Sequence, residues 1–358
     1  MTLSLDKRGT LTLAEILSQP ACWAECLGLL EASDVTNKLR RSFKAESHWL
    51  MVGCGSSYYV ALGAAATWTA LTGQRATALP ASEILLFPDL ALAGPGPIQP
   101  VFISRSGRTS EILKAAEFVK QQRHLNALAI SCVPGQPLEG LSGMTVILPP
   151  ADEQSTVMTR SFSSMLLALQ FLGAGMANDR AFQDTLHRLS GPGENLLASL
   201  PARLQGFVAD RTFADYAFLG QGPLYGIANE AMLKVKEMSC SYAQCFHTLE
   251  FRHGPKAIVS PETLVTFFLS ESGFNAEREV LEEVKSLGGT TLVVTNHADS
   301  ATRQAADFLV ELKAEASDFA RLAAYVVPVQ LLGLVTGIRK GFNPDRPPNL
   351  TRAVILKG

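Results

Sequence analysis

The sequence predicts an α/β fold of two tandem domains, each a parallel sheet flanked by helices. Segments typical of strand, helix and strand alternate along the chain, which is the pattern of a parallel sheet covered by helices. The same order of segments occurs twice, each time after a strand that ends in Gly-x-Gly, first at Gly53 and again at Gly220. The chain has 358 residues, more than one core commonly holds, which also favours two domains.

The first copy begins with an apolar strand that ends in Gly-Cys-Gly at 49–55 and continues into a helix of small residues at 61–71. A second apolar strand leads into Ser-Arg-Ser-Gly at 101–107 and a helix at 111–122, and a third strand follows at 127–131. This order predicts two strand–helix–strand units in succession.

The second copy repeats these segments in the same order. A strand ending in Gly-Gln-Gly at 216–222 precedes a helix at 228–240. A strand with its loop at 266–273, a helix at 276–287 and a strand at 290–295 complete it. Because three elements recur in one order, we predict that the two halves arose by duplication.

Four segments follow from this pattern: a helical lead-in at 1–45, a first α/β domain at 46–190, a second α/β domain at 191–340 and a C-terminal tail at 341–358 that closes the site. The boundary between the halves is placed at Ser-Gly-Pro-Gly, 190–193, where we expect a helix not to continue. The tail is rich in proline, so we expect it to be irregular and then extended at 350–356.

Charge and composition exclude several kinds of partner. Lys and Arg number 31 against 33 Asp and Glu, which gives no basic surface for nucleic acid or membranes. The N-terminus lacks a signal-peptide pattern, and the longest apolar run, 326–335, is interrupted by Pro and Gln, so we expect a cytoplasmic protein. The six cysteines form no Cys-x-x-Cys pair and the histidines lack zinc-ligand spacing, so we expect reduced thiols, no metal and no organic cofactor.

Two hydroxyl-rich loops in the first half are candidates for anion binding. Residues 53–57 and 104–109 each follow an apolar strand and open a helix. Backbone N–H groups, hydroxyls and a helix N-terminus can converge on an anion there, although Ser and Thr are also ordinary turn and capping residues. In the second half Pro follows Gly222, and Glu271 would repel a phosphate, so we assign anion binding to the first half.

The chemistry is predicted on the helix after Gly222. Glu230, Lys234 and Glu237 share one helical face, although by spacing alone a solvated stripe with a Glu–Lys ion pair is the simpler interpretation. Isomerising a sugar phosphate needs a carboxylate that moves a proton between neighbouring carbons. Opening the ring needs an acid–base group, for which His suits neutral pH. His253 precedes Gly-Pro in a turn and is the candidate; a loop histidine is more often a surface residue, and His247 is a nearby competitor.

Four ordered motifs resemble the double-SIS (sugar isomerase) proteins. They are Gly-Cys-Gly-Ser-Ser-Tyr at 53–58, Ser-x-Ser-Gly-x-Thr at 104–109, Asn-Glu-x-x-x-Lys-x-Lys-Glu at 229–237 and Glu-x-x-His-Gly-Pro at 250–255. The chain is similar over about residues 45–358 to the isomerase half of glucosamine-6-phosphate synthase. It also resembles tagatose-6-phosphate isomerases, amino-sugar-phosphate deaminases and fructosamine-6-phosphate deglycases, which stand alone, and Met-Thr-Arg-Ser-Phe at 158–162 looks closer to these.

The resemblance implies a phosphosugar aldose–ketose isomerase that works through an enediol or enolamine. It implies that Glu237 moves the C1/C2 proton and that His253 opens the ring, reaching the site from the neighbouring subunit of a homodimer. Glu230 and Lys234 would support that network. The substrate-binding residues that it implies are Ser56, Ser57, Ser104, Arg105 through its backbone, Ser106, Thr109 and Thr159.

Two departures from the synthase bear on the reaction. We find no N-terminal glutaminase domain with a leading Cys, so glutamine-dependent amination is not expected. The synthase's Asn-Leu-x-Lys, which supplies a Schiff-base lysine, reads Asn-Leu-Thr-Arg here and ends in Arg352. Arg stays protonated and forms no imine, but Arg352 can bind an oxyanion such as an enediolate or a substrate carboxylate; Lys357 is a weak substitute for the lysine.

Three functional hypotheses remain. The first is an isomerase, and the second is a deaminase or deglycase that shares its first steps and then releases an amine. The third is a non-catalytic phosphosugar sensor. The chain has no recognisable DNA-binding domain and retains Glu237 and His253, which favours an enzyme.

Overall fold

The computed structural model describes residues 7–44 and 46–356. By compactness the chain divides into two units, each built around one sheet. The first-sheet unit comprises Ala21–Gln154, Arg160–Arg188 and Thr351–Gly358, and the second-sheet unit comprises Met1–Pro20, Ser155–Thr159 and Leu189–Leu350. The boundaries drawn from the sequence at 45/46, 190/191 and 340/341 stay predictions.

Three helices precede the first strand, as the helical lead-in predicts. They are α1 (Thr10–Leu17), α2 (Gln19–Ala32) and α3 (Val35–Ser42). Residues 1–6 and 45 of the predicted lead-in lie outside the described residues.

The first-sheet unit contains five parallel strands in the order β2-β1-β3-β4-β5. The strands are β1 (His48–Gly53), β2 (Ala76–Pro80), β3 (Ile98–Ile103), β4 (Leu128–Ser131) and β5 (Met144–Ile147). The helices after β1 are α4 (Ser56–Thr72), α5 (Ala81–Leu86), α6 (Pro88–Ala91), α7 (Ser110–Gln121), α8 (Pro137–Leu141), α9 (Arg160–Ala177) and α10 (Arg180–Arg188). Buried apolar residues of β1, β3 and β4 pack with the apolar face of α7.

The second-sheet unit contains five parallel strands in the order β7-β6-β8-β9-β10. The strands are β6 (Asp215–Gly220), β7 (Ala243–Phe246), β8 (Thr263–Phe268), β9 (Thr290–Thr295) and β10 (Phe308–Glu311). The helices are α11 (Ser190–Leu197), α12 (Leu200–Ala209), α13 (Leu224–Ser239), α14 (Phe274–Ser286), α15 (Ser300–Ala305), α16 (Leu322–Tyr325) and α17 (Val327–Arg339). The predicted α/β class with two parallel sheets is confirmed, and the origin by duplication stays a prediction.

The Gly-x-Gly pattern has the same steric cause in both units. A Cβ on Gly53 would lie 2.3 Å from the carbonyl carbon of Ser57, and one on Gly220 would lie 2.4 Å from the oxygen of Leu224. The second glycine of each pattern has a positive φ, +56° at Gly55 and +55° at Gly222. Only glycine meets both conditions, so each strand can turn directly into the helix that follows.

The boundary segment at 190–193 begins a new helix. Its Ser-Gly-Pro-Gly forms the first turn of α11, and α10 already ends at Arg188. Pro192 is tolerated there because N–H groups of the first helical turn have no partner within the helix. The segment therefore marks a break between two helices, as predicted, but itself belongs to the second.

The apolar stretch near the C-terminus is longer than the sequence indicated. Leu322–Arg339 is long and apolar enough to cross a membrane, and 89% of it is buried within the protein. Two glycines of this stretch pack against α13, where a Cβ on Gly333 would lie 2.9 Å from the oxygen of Lys234 and one on Gly337 would lie 2.1 Å from the oxygen of Met238. Close packing against protein therefore accounts for its composition.

The tail has no regular structure at 343–349, as predicted, and 350–356 forms no strand. This last segment instead bonds to the start of α7. Ser110 donates its N–H to the oxygen of Val354 at 3.1 Å, and Leu356 donates its N–H to Ser110 Oγ at 2.9 Å.

Candidate functional site

The predicted site residues fall into two groups, one in each unit. The first-sheet unit holds Ser56, Ser57, Ser104, Arg105, Ser106, Thr109 and Arg352. The second-sheet unit holds Thr159, Glu230, Lys234, Glu237 and His253.

The two hydroxyl-rich loops of the first-sheet unit lie at the same edge of its sheet. Strands β1 and β3 are hydrogen-bonded neighbours, and 53–57 and 104–109 follow their carboxyl ends. The strand order reverses between β1 and β3, and open α/β sheets bind ligands at such a point.

The first loop places two buried hydroxyl side chains at the start of α4. Ser56 and Ser57 are 6% and 5% exposed and begin a helix of 17 residues whose capping position is Gly55. The N-terminus of a helix this long carries partial positive charge and attracts an anion. Neither serine occupies the capping position, so capping does not explain them.

The second loop adds three hydroxyl side chains. Ser104 and Ser106 are buried, and the hydroxyl oxygens of Ser104 and Thr109 are 3.4 Å apart. Thr109 is the capping residue of α7, but its side chain makes no capping hydrogen bond. Gly107 has φ +62°, and a Cβ there would lie 2.7 Å from Gln136 Cβ. The loop therefore presents hydroxyls and a helix N-terminus, a combination that suits a phosphate.

The side chain of Arg105 links the loop 104–109 to Glu153 and to the C-terminal segment. It is 5% exposed, with Nη1 3.4 Å from Glu153 Oε2 and Nη2 donating to the carbonyl oxygen of Arg352 at 2.7 Å. Glu153 in turn accepts a hydrogen bond from Ser161. The prediction for Arg105 concerned only its backbone, and the side chain anchors the C-terminal segment.

Arg352 forms an ion pair with Asp152, and both side chains are 37% exposed. An oxyanion bound at Arg352 would therefore compete with the carboxylate of Asp152. Lys357 lies outside the described residues.

The three α13 residues of the second-sheet unit form one ionic cluster. Lys234 Nζ is 3.3 Å from Glu230 Oε1 and also pairs with the carboxylate of Glu237. Glu230 and Lys234 are 0% exposed and Glu237 is 19% exposed. This burial excludes the solvated-stripe interpretation and leaves Glu237 as the member that can meet a ligand.

The charge state of the cluster follows from its contacts. Burial lowers the pKa of Lys234, but the carboxylates of Glu230 and Glu237 outweigh burial and hold that pKa above its ordinary value. Lys234 is therefore an ammonium at neutral pH. A buried cation beside a partly exposed carboxylate fixes the position of a candidate general base.

The two candidate histidines have different surroundings. His253 lies in the turn between two short 3-10 helices, Glu250–Arg252 and Pro255–Ile258, and is exposed. In the part of the chain that the structure describes, its ring makes no hydrogen bond. His247 instead stacks on Tyr225 with ring centroids 3.8 Å apart, and burial lowers its pKa. Of the two, His253 is the ring that is presented for contact.

Thr159 is fully buried, and its carbonyl oxygen accepts a hydrogen bond from Gln330 Nε2 at 3.1 Å. This contact anchors the segment at the start of α9. A contact of Thr159 with substrate stays a prediction.

Sequence reasoning missed the acidic partners of the two arginines. Glu153 pairs with Arg105 across 48 residues of sequence, and Asp152 pairs with Arg352 across 200. No local pattern marks such residues, because their role arises only when the chain is folded. Among the described residues, no three His, Cys, Asp or Glu side chains are grouped so that they could hold a metal ion.

The two ranges that match a family model cover most of the chain. The sequence model of the SIS domain matches residues 42–174 and 216–335. The glutamine–fructose-6-phosphate aminotransferase (isomerizing) of Methanothermobacter thermautotrophicus is 26% identical over 96% of this chain and 57% of its own length. That of Aliivibrio fischeri is 27% identical over 93% of this chain and 54% of its own length. The chain thus spans little more than half the length of these relatives.

Solved structures match nearly the whole chain. The glucosamine-6-phosphate deaminase of Thermotoga maritima has 28% sequence identity and a TM-score of 0.81, covering 97% of this chain and 100% of that one. The tagatose-6-phosphate ketose/aldose isomerase of Escherichia coli has a TM-score of 0.85 over 98% of this chain and 97% of that one. Its identity is 23%, so this second likeness concerns the fold alone.

Proposed function

The chain belongs to the SIS domain family, and from this membership and its α13 cluster we propose that it is a phosphosugar aldose–ketose isomerase. Its substrate is a hexose phosphate or an amino-hexose phosphate. The observation that carries the proposal is the cluster itself, in which the buried Lys234 holds the partly exposed carboxylate of Glu237. The names of two relatives, a glutamine–fructose-6-phosphate aminotransferase (isomerizing) and a glucosamine-6-phosphate deaminase, support the substrate class.

The phosphate is held by the two loops of the first-sheet unit. The hydroxyls of Ser57, Ser104, Ser106 and Thr109 and the N-termini of α4 and α7 supply donors and positive potential. The chain as a whole has a formal net charge of −2, so the attraction for a phosphate comes from these local groups and not from the overall charge. We expect Ser56 and the backbone N–H of Arg105 to contribute donors as well.

The proton transfer begins from the open-chain sugar. His253 assists ring opening by moving a proton between the ring oxygen and the C1 or C2 hydroxyl. Glu237 then removes the proton from the carbon beside the carbonyl while the carbonyl oxygen takes up a proton from solvent, which leaves an enediol, or an enolamine if nitrogen is attached. Glu237 returns its proton to the former carbonyl carbon as the hydroxyl (or amine) on the neighbouring carbon gives up a proton to solvent, so the isomerisation ends with no net gain or loss of atoms.

The reaction proceeds without an imine to the protein at position 352. Arg352 cannot form a Schiff base and is paired with Asp152.

A second candidate is an amino-sugar-phosphate deaminase. It is favoured by the 28% identity to the Thermotoga maritima deaminase over both chains. A fructosamine-6-phosphate deglycase would share the first half of the mechanism, up to the enolamine. Water would then release an amine from that intermediate. A non-catalytic phosphosugar sensor would bind the same ligands without exchange of protons. The homodimer and the cytoplasmic location stay predictions.

A panel of substrates tests the proposal. The purified protein is incubated with fructose-6-phosphate, tagatose-6-phosphate, glucosamine-6-phosphate, galactosamine-6-phosphate and a fructosamine-6-phosphate, and products are identified by NMR. We expect interconversion of an aldose and a ketose phosphate. Release of ammonia or amine would select the deaminase or deglycase, and binding without turnover of any member would contradict an enzyme for these substrates.

A further inference from the structure

The loop after β8 has the same build as the second phosphate-binding loop. Ser-Glu-Ser-Gly at 270–273 corresponds to Ser-Arg-Ser-Gly at 104–107. Strand β8 is the neighbour of β6 where the strand order of the second sheet reverses, as β3 is of β1. The loop leads into α14, a helix of 13 residues. Its position and sequence are those of an oxyanion loop.

The loop at 270–273 already binds an anionic group, which is the carboxylate of Asp318 in the same chain. The N–H of Glu271 donates to the two carboxylate oxygens of Asp318 at 2.9 and 3.1 Å. The N–H of Ser272 donates to the same carboxylate at 3.4 Å. Consecutive backbone N–H groups that converge on one oxyanion are the arrangement that binds phosphate in other loops.

A buried arginine completes the arrangement. Arg321 is 0% exposed, and its Nη2 lies 2.5 Å from Asp318 Oδ1. Its Nη1 lies 2.8 Å from Glu271 Oε1, so the side chain of Glu271 is directed to this cation. Backbone N–H groups beside a guanidinium form a site for a small oxyanion, and a buried guanidinium requires a negative partner.

We propose that residues 270–273 and Arg321 form a second oxyanion cradle, which the chain keeps closed with the carboxylate of Asp318. Without that carboxylate the cradle takes a small inorganic oxyanion such as phosphate, and the side chain of Glu271, which is 56% exposed, turns from Arg321 to solvent. In the intact chain it takes none, so each chain binds one phosphosugar, through the first-sheet unit. This stoichiometry rests on the proposed function, whereas the cradle itself does not. The second-sheet unit therefore retains a loop that can bind an oxyanion, and Asp318 of the same chain occupies that loop.

The test uses the full chain with Ser106→Ala and Thr109→Ala, which weaken phosphate binding at the loop 104–109 of the first-sheet unit. Asp318→Ala is added to this parent, and inorganic phosphate is titrated by calorimetry and by thermal unfolding. We expect one new phosphate site per chain and a rise of about 3 °C in the midpoint at tenfold excess over the Kd. Asp318→Asn fills the same space with an amide and should gain no site. Asp318→Ala combined with Arg321→Met should also gain none.

If Asp318→Ala is recovered only as aggregate, Asp318→Ser is used in its place. The serine side chain is small enough to leave room for the ion, and its hydroxyl keeps one polar group at the position. A folded Asp318→Ala or Asp318→Ser variant with no more phosphate sites than the parent would overturn the proposal. The proposed function fails separately, namely when the wild-type protein binds no phosphosugar while the Asp318 variants still gain inorganic phosphate.

Discussion

Replacing Lys234 by Met tests the ionic cluster through stability. The substitution keeps the length of the side chain and removes the cation between Glu230 and Glu237. Glu237 is 19% exposed and can be hydrated, whereas Glu230 is 0% exposed and cannot. The cost therefore arises mainly at Glu230.

The size of the loss can be worked out from the charge that remains. Glu230 can avoid an unpaired buried charge by taking up a proton. Protonating a carboxyl of ordinary pKa, about 4.3, costs about 4 kcal/mol at pH 7 and about 1 kcal/mol at pH 5. The first value lies within the range of about 3–5 kcal/mol found when one partner of a buried ion pair is removed. We therefore expect Lys234→Met to be strongly destabilised at pH 7 and much less at pH 5.

Urea unfolding of wild-type and variant protein, followed by circular dichroism at both pH values, measures this difference. Lys234→Met combined with Glu230→Gln is the matched control, because it removes both buried charges. We expect the double variant to recover most of the loss at pH 7. A cost for Lys234→Met below about 1 kcal/mol at pH 7, or one that does not shrink at pH 5, would refute the reasoning.

The remaining predictions concern the phosphate, the pH and the subunits. Ser106→Ala with Thr109→Ala removes two hydrogen bonds to a charged group and should weaken phosphorylated ligands about a hundredfold in calorimetry; equal weakening of non-phosphorylated sugars would argue against a phosphate site. Burial raises the pKa of Glu277 to about 7, so the folded state holds a proton that the unfolded state has lost, and stability falls as pH rises through that pKa. Between pH 5 and pH 8 the wild-type protein should lose about 2.5 kcal/mol more than Glu277→Gln in urea unfolding, and parallel pH curves would contradict this. Mixing inactive Glu237→Gln and His253→Ala proteins should restore part of the activity if the site is shared between subunits, whereas no restoration after verified subunit exchange would place both groups in one chain.

The elements of the fold were predictable because their causes are local. The turns at Gly53 and Gly220 follow from the close approach of strand and helix, which any other residue would block. Strand β9 was predicted at the residues that it occupies, 290–295. The start of α13 was missed by four residues, since Leu224–Ala228 carries no capping signal after Pro223.

The candidate site was predictable in part. Spacing placed Glu230, Lys234 and Glu237 on one helical face, but by spacing alone a solvated stripe was the simpler interpretation. Helix α17 packs closely on α13 at Lys234, where a Cβ on Gly333, about a hundred residues further along the chain, would lie 2.9 Å from the carbonyl oxygen of Lys234. Sequence periodicity on one helix carries no information about the helix that covers it.

Contacts between charged residues that lie far apart in the chain could not be predicted from the sequence. Asp318 bonds to the backbone of Glu271, 47 residues away, and Asp152 pairs with Arg352 across 200 residues. The sequence indicated that Glu271 would repel a phosphate, but its side chain pairs with Arg321 while Asp318 occupies the loop. Such partners are determined by the folded topology.

The most direct test of the central claim is deuterium incorporation from D2O into a phosphosugar that the wild-type protein binds, compared with Glu237→Gln. We expect the wild-type protein to place deuterium at C1 or C2. The variant should exchange about a thousandfold more slowly while it binds the same ligand with a similar Kd, because only the general base is lost. Exchange by Glu237→Gln at the wild-type rate would contradict the assignment of Glu237 as the group that moves the proton.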